Sequence, residues 1–335
     1  MSPSSVKVSF IGAGYIAGVH AEILSADPRV RLNGFYDQDP SRSAQLAKKH
    51  NAKSYAGSQE LFDGSPHAVY VASPNTTHVD YVTAALARGI HVFSEKPMAV
   101  NLEGAQKIKE AAAKSRAIYQ IGFNRRFAPV YKKMKELALT PKFKPFSANI
   151  KMNRGELQRP PWTSNPKVTG GFLYESTIHL FDLMLYFLGD VESFEVTAAK
   201  DLYPDFDNFS MLFRFKNGGH AVFSSCAHAS WIFPFERIEL YGDHAACFND
   251  EMERVTFSDG LEKDQVRTLE FGSLDLADRW GYRQEDQNFI EAIAKAQPPV
   301  VGVAEAFRVT SLIEEVYARV RGADPVSKMP LETRR

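Results

Sequence analysis

No feature constrains this chain more than the stretch "FIGAGYIAGVH", residues 10–20. Val6, Val8 and Phe10 alternate as strand residues do, Gly12-x-Gly14-x-x-Ala17 interrupts them, and a helical pattern follows. The order strand, glycine turn, helix has a specific physical logic. Gly12 allows the tight turn, Gly14 lets the backbone approach a pyrophosphate, and Ala17 lets the helix lie close to the strand. The helix N-terminus, opening at Tyr15 and Ile16, offers free N–H groups and a positive dipole end to phosphates. Asp37 ends the next strand, 20 residues beyond Ala17, where a carboxylate suits ribose hydroxyls. It would repel a 2′-phosphate, which favours NAD; Arg42 lies near enough to accept that phosphate and keeps NADP open.

The first third continues the same alternation. "AVYVA" (68–72) is a continuously apolar run, as in a strand covered on both faces. Val79, Val82 and Leu86 recur at helical spacing, "IHVFS" is the next strand, Asn101 caps the helix after it, and 118–122 is another strand. Such alternation implies a parallel, doubly wound sheet with right-handed crossovers. A chain of 335 residues is long for one core, so two domains are expected. Residues 1–122 form the dinucleotide-binding Rossmann domain. Residues 123–335 form an α+β domain with a large, mainly antiparallel open sheet, whose terminal helix returns to the first domain. There, Phe209, Met211, Phe213 and Phe215 alternate in the clearest of several strand patterns, and Asn217-Gly218-Gly219 suits a hairpin. One helical stretch, "ESTIHLFDLMLYFLG", stands among them, and helical patterns return at 283–296 and 303–321.

Composition narrows the function classes. Basic and acidic residues balance at 40 each, so no overall positive field is available for nucleic acid. No stretch approaches the roughly 20 apolar residues of a membrane span. The opening "MSPSSVKVSF" lacks a basic region followed by an apolar core, and the only cysteines, Cys226 and Cys247, form no CxxC motif. A reduced, cytoplasmic protein is expected.

Ligands of an open parallel sheet gather at the carboxyl ends of its strands. Here those ends read "ASPNTTH" (72–78), "SEKP" (94–97) and "GFNRRF" (122–127). Ser73, Pro74, Asn75 and His78 are candidates for the cofactor, as is Glu95. Lys96 stands out, because an ammonium beside a cationic nicotinamide gives up its proton more readily through like-charge repulsion. That suits proton exchange with an alcohol. Pro97 suggests a fixed, cis-capable peptide that sets the lysine's direction. Glu95 can serve a ribose hydroxyl, Lys96, or a structural ion pair.

The ordered set Gly12-x-Gly14-x-x-Ala17 with His20, "SPNTTH", "EKP", "NRRF" and "GGFLYESTIHLFD" resembles the Gfo/Idh/MocA family of NAD(P)-dependent sugar and polyol oxidoreductases, over nearly the whole chain. The resemblance implies a Rossmann domain followed by an α/β domain whose open sheet mediates homodimers or homotetramers. It implies that Lys96 contacts the reacting hydroxyl of a small polyhydroxy substrate, and that His179 accepts the proton during oxidation. The family's second motif, roughly D-x-G-x-H-x-x-D, places its last aspartate at Asp182. Glu175 stands where the family commonly has aspartate and Thr177 where it has glycine, so an altered pocket is expected.

The residues make their own case for this helix. Glu175, His179 and Asp182 lie at i, i+4 and i+7, so a straight helix puts them on one face. A polar stripe in so apolar a helix needs partners or a purpose. A metal is conceivable there, but the spacing matches no metal-ligand motif and none is expected. Asn124, Arg125, Arg154, Trp162 and Tyr174 come from strand ends and from the irregular loop "RGELQRPPWTSNPKVTGG", and are candidates for substrate hydroxyls and an aromatic surface. The leading reading is a dehydrogenase in which His179 and Lys96 share proton transfer and Glu175 tunes His179. An NAD-dependent glycosidase of the same fold and a non-catalytic sensor are the alternatives.

Overall fold

The computed structural model describes residues 5–231 and 235–322; Met1–Ser4, part of the amino-terminal stretch discussed above, and 323–335 of the expected second domain lie outside the described residues, as do 232–234. The first unit runs β1 (Val6–Ile11), α1 (Tyr15–Ser25), β2 (Val30–Tyr36), α2 (Pro40–Lys49), β3 (Lys53–Ser54), α3 (Ser58–Asp63), β4 (Ala68–Val71), α4 (His78–Ala87), β5 (His91–Glu95), α5 (Leu102–Lys114) and β6 (Tyr119–Gly122). Its six-stranded sheet is ordered β3-β2-β1-β4-β5-β6, with every pairing parallel. The order reverses between β1 and β4, which opens a crevice at the carboxyl ends of those strands. Val8, Phe10, Ala68, Tyr70 and Phe93 point to one face of this sheet and Ile11, Val69, Val71 and Val92 to the other, all buried, as a sheet covered by helices on both sides requires.

The second unit contains α6 (Pro129–Ala138), β7 (Ser147–Asn153), α7 (Pro166–Thr169), a π-helical turn (Leu173–Thr177), α8 (Ile178–Leu188) and strands β8 (Val191–Ala199), β9 (Asn208–Phe215), β10 (His220–Cys226), β11 (Glu236–Tyr241), β12 (Ala246–Asp250), β13 (Arg254–Ser258) and β14 (Arg267–Glu270). The eight strands are ordered β14-β13-β12-β11-β7-β10-β9-β8. All neighbours run antiparallel except β7 and β10. In β9 the expected alternation is observed: Phe209, Met211, Phe213 and Phe215 are buried while Ser210, Leu212 and Arg214 are exposed. α8 covers the inner face, where Phe181 meets the rings of Phe213 and Phe223.

After α9 (Leu276–Arg279), the chain returns to the first sheet. α10 (Tyr282–Lys295) packs beside α1, and its Phe289 and Ile290 join the core under Phe10, Tyr70 and Phe93. α11 (Val303–Gly322) packs against α5 and α8 and so bridges the two units. Among the described residues, no helix is long and apolar enough to cross a membrane.

Candidate active site

The glycine loop sits at the switch point. Gly12 has φ +94°, and a Cβ there would stand 2.4 Å from the Ala72 carbonyl oxygen, so β1 and β4 can approach only with glycine. Gly14 is different: a Cβ on it would meet nothing within 4 Å. The protein's own packing does not require glycine there, and the space above it is open to a ligand. Gly14 caps α1 without a side-chain hydrogen bond, and the first turn of α1 carries no acidic residue. Its free amides therefore suit a pyrophosphate. Tyr15 is exposed, Ile16 half-buried and Ala17 fully buried against the sheet. Asp37 Oδ2 accepts the Ala13 N–H at 2.7 Å and Oδ1 accepts that of Asp39 at 2.8 Å. The carboxylate is thereby fixed beside the loop, with lone pairs left for a ribose. Arg42 is exposed and pairs with Asp39 at 3.4 Å. This donor set fits a nicotinamide dinucleotide.

The strand ends after β4 and β5 are tied to each other. His78 is fully buried, and its ring nitrogens lie 2.7 Å from the Pro97 carbonyl and 2.9 Å from that of Ser73. Burial pushes its pKa below the ordinary value against the pull of those two carbonyls. Ser73 Oγ pairs with Thr77 Oγ1 at 2.7 Å, and Pro74 stays exposed. The Lys96–Pro97 peptide is cis. Lys96 Nζ donates to the backbone carbonyl of Glu175 at 2.8 Å and lies 4.0 Å from its Oε2. Asn75 Nδ2 reaches the same Oε2 at 3.3 Å and the Thr169 carbonyl at 3.2 Å. Glu95 receives the Lys96 N–H on Oε2 at 3.1 Å and faces His20 with Oε1.

The expected single helix is two elements. Leu173–Thr177 form a π turn, whose i→i+5 bonds widen the helix, and regular α8 begins at Ile178. The i, i+4 and i+7 stripe therefore breaks into three environments. Glu175 faces Lys96 and Asn75. His179 keeps 7% of its surface, and its Nδ1 is buried without a hydrogen-bond partner among the described residues. Burial, then the nearby Arg125 and Lys96 charges, holds its pKa well below 6.5, so the imidazole is neutral. Asp182 is taken up by Arg126 in a buried bidentate pair at 2.6 and 2.7 Å. Thr177 does not face the cleft: fully buried, it donates to Ser225 Oγ at 2.8 Å, and Ser225 donates in turn to the Met152 carbonyl at 2.8 Å. It fastens the turn to the sheet.

The remaining substrate candidates divide. Arg154 Nη1 reaches Ser176 Oγ at 3.1 Å, beside the π turn, and Trp162 is 43% exposed on its loop. Asn124 donates to the Trp280 carbonyl at 2.9 Å. The Arg125 guanidinium is locked onto Glu236 at 2.8 and 2.9 Å, where it acts on His179 as a charge. Tyr174 is fully buried and bonds Glu314 of α11 at 2.9 Å, so the structure does not bring it to Lys96. A groove of about 1010 Å³ between Val6, His67, Gly89 and Ile290 lies at the opposite ends of the strands. The strand-end rule and the donor set both point instead to Lys96 and His179.

Comparison with known proteins agrees with this geometry. Residues 6–123 match the oxidoreductase family with an NAD-binding Rossmann fold, and residues 144–247 match the GFO/IDH/MocA C-terminal domain. The chain is 30% identical to a myo-inositol 2-dehydrogenase of Thermotoga maritima over 309 residues, covering 88% of this chain and 90% of the relative. It is 34% identical to a glucose-6-phosphate 3-dehydrogenase of Bacillus subtilis over 187 residues, 54% and 53% of the two chains. A crystal structure of a probable dehydrogenase from Thermotoga maritima superposes with a TM-score of 0.80 at 26% identity, covering 94% of this chain and 96% of that one.

Proposed function

This chain belongs to the Gfo/Idh/MocA oxidoreductases, and from that premise we propose that it is a dehydrogenase of a cyclic polyhydroxy compound in which Lys96 and His179 carry the proton chemistry. The observation that carries the reading is the neutral His179, its Nδ1 unpartnered, set at the strand ends within the electrostatic reach of Lys96. A neutral imidazole in a buried cleft is a competent base for a substrate hydroxyl.

The residues that would hold the cofactor are Gly12, Gly14, Asp37, Ser73 and Glu95. When bound, the dinucleotide supplies the acceptor or donor of hydride at the carbinol carbon. His179 takes the hydroxyl proton during oxidation and returns it during reduction. Lys96 polarises the same oxygen, its ammonium aimed by the Glu175 carbonyl. Glu175 thus serves Lys96 more directly than His179, with Asn75 holding its carboxylate. Arg154, bonded beside the π turn, and Trp162, exposed on its loop, suit further hydroxyls and a ring face. Relatives named for myo-inositol and for glucose 6-phosphate support a ring alcohol as substrate. The Asp37 carboxylate, with no cation bonded to it among the described residues, supports NAD over NADP.

The test is a panel of cyclitols, sugars, sugar phosphates, sugar acids and glycosides, each with NAD and with NADP, followed by nicotinamide absorbance and by chromatography of the products. Net formation of reduced cofactor in step with ketone product is expected for at least one compound. Glycosidic cleavage with no net reduced cofactor would replace this reading with a redox-neutral glycosidase.

A further inference from the structure

Behind the Glu-Lys-Pro segment lies a buried ionic chain that the proposed chemistry does not use. His20 on α1 is fully buried. Its Nε2 lies 3.1 Å from Glu95 Oε1, and its Nδ1 lies 2.8 and 3.0 Å from the Asp286 carboxylate on α10. Tyr70 on β4 donates to the same Asp286 at 3.0 Å. The rings of Phe93, Tyr70 and Tyr282 close around the imidazole at 5.0, 5.4 and 5.7 Å. Three segments far apart in sequence therefore meet at one side chain.

Both ring nitrogens face carboxylates, and a doubly protonated ring donates to both. Burial alone would lower the pKa of His20, but Asp286 and Glu95 outweigh it and raise it well above 6.5. Burial would likewise raise Glu95, and the bond and charge of His20, with Lys96, hold it below its ordinary value. Glu285, the next buried acid on α10, has no hydrogen-bond partner on either oxygen among the described residues. Burial and the neighbouring Glu95 raise its pKa well above 4.5, which favours its uncharged form. Burial raises the pKa of Asp286 against the charge and bond of His20; His20 thus sits between Asp286 and Glu95, with Lys96 at the open end.

Holding α10 to α1 does not require this. Buried ion pairs are a costly way to join two helices, and apolar residues of similar volume do it as well or better. What apolar residues cannot do is orient a carboxylate. Glu95 is gripped at both oxygens, by His20 at Oε1 and by the Lys96 N–H at Oε2. Gly122 on β6 leaves the room, since a Cβ there would stand 3.1 Å from that Oε2.

We propose that His20 is a positioning residue: its Nε2 contact fixes the Glu95 carboxylate, which fixes the backbone of Lys96 and so the direction of its ammonium.

Two substitutions separate positioning from plain packing. In His20→Gln the amide reaches the place of Nε2 and keeps a donor for Glu95. In His20→Asn it reaches the place of Nδ1 and keeps a donor for Asp286 only. Each loses one buried hydrogen bond, so both should melt lower by similar amounts. Reductive methylation of the whole protein with formaldehyde and cyanoborohydride, read at Lys96 by peptide mass spectrometry, needs no substrate. The expected result is several-fold faster modification of Lys96 in His20→Asn and a rate close to wild type in His20→Gln. Equal rates in the two variants, or an unchanged rate in His20→Asn, would overturn the proposal. Wild-type protein gives a second reading that no folding failure can obscure. The imidazole nitrogen signals of His20 should remain those of an imidazolium through neutral pH, and a neutral ring there would overturn it equally.

Discussion

Lys96 hangs its ammonium on a backbone carbonyl, at 2.8 Å, and keeps the Glu175 carboxylate at 4.0 Å. A carbonyl aims the group without committing the charge to a tight ion pair, which leaves it free to act on a developing alkoxide. His179 is prepared the opposite way, its Nδ1 without a hydrogen-bond partner among the described residues and its ring kept neutral by burial and two cations. Its folded pKa lies below 6.5, so the base form persists as pH falls past that value. The acid limb of kcat/KM for oxidation is therefore expected below pH 6.5, and a pH–rate profile of the free enzyme checks it. The same shift makes stability rise with pH across that window, because the unfolded chain binds the proton more readily. Asp37 carries a different expectation. It braces the glycine loop through the Ala13 N–H as well as facing a ribose. Asp37→Ala should weaken both cofactors and narrow the gap between them, as titration with NAD and NADP would show; an unchanged ratio would remove Asp37 from the ribose site.

At the scale of elements, the first sheet was largely legible in the sequence and the approach to the site was not. Continuous apolar runs and the glycine loop located β1, β4, β5 and β6, because burial on both faces leaves a strong local signal. The exposed two-residue β3 left none. The π turn was misread because a count in steps of 3.6 cannot register i→i+5 bonds, and the straight-helix reading then put Glu175 with His179. The partners of Arg125 and Arg126 are Glu236 and Asp182, 111 and 56 residues away, and no spacing rule reaches so far. His20 and Asp286 escaped for the same reason, at a separation of 266. The departure at Thr177, expected to reshape the pocket, instead anchors the turn to Ser225. Thr177→Val keeps the shape and removes that bond, so a loss of about 1 kcal/mol in chemical denaturation is expected, with cofactor affinity unchanged.

Over the whole molecule, the chain builds its first sheet, crosses to the second, and returns two helices to cover what it left open. β6 ends at Gly122, and α10 and α11 close over the first unit. The outer face of the second sheet stays open. On it Leu212 and Val222 are direct cross-strand partners, 38% and 51% exposed. We propose that this face joins copies of the chain, so Leu212→Asp with Val222→Asp should lower the mass seen by sedimentation; an unchanged mass would place any interface elsewhere. None of this bears on the chemistry as directly as Lys96 itself. The most direct measurement is single-turnover hydride transfer by Lys96→Ala on a verified substrate, with NAD binding measured in parallel. The expected result is a rate lower by about 10²–10⁴-fold, the usual contribution of a positioned proton-transfer group, with NAD affinity little changed. Near-normal turnover by Lys96→Ala would contradict the account.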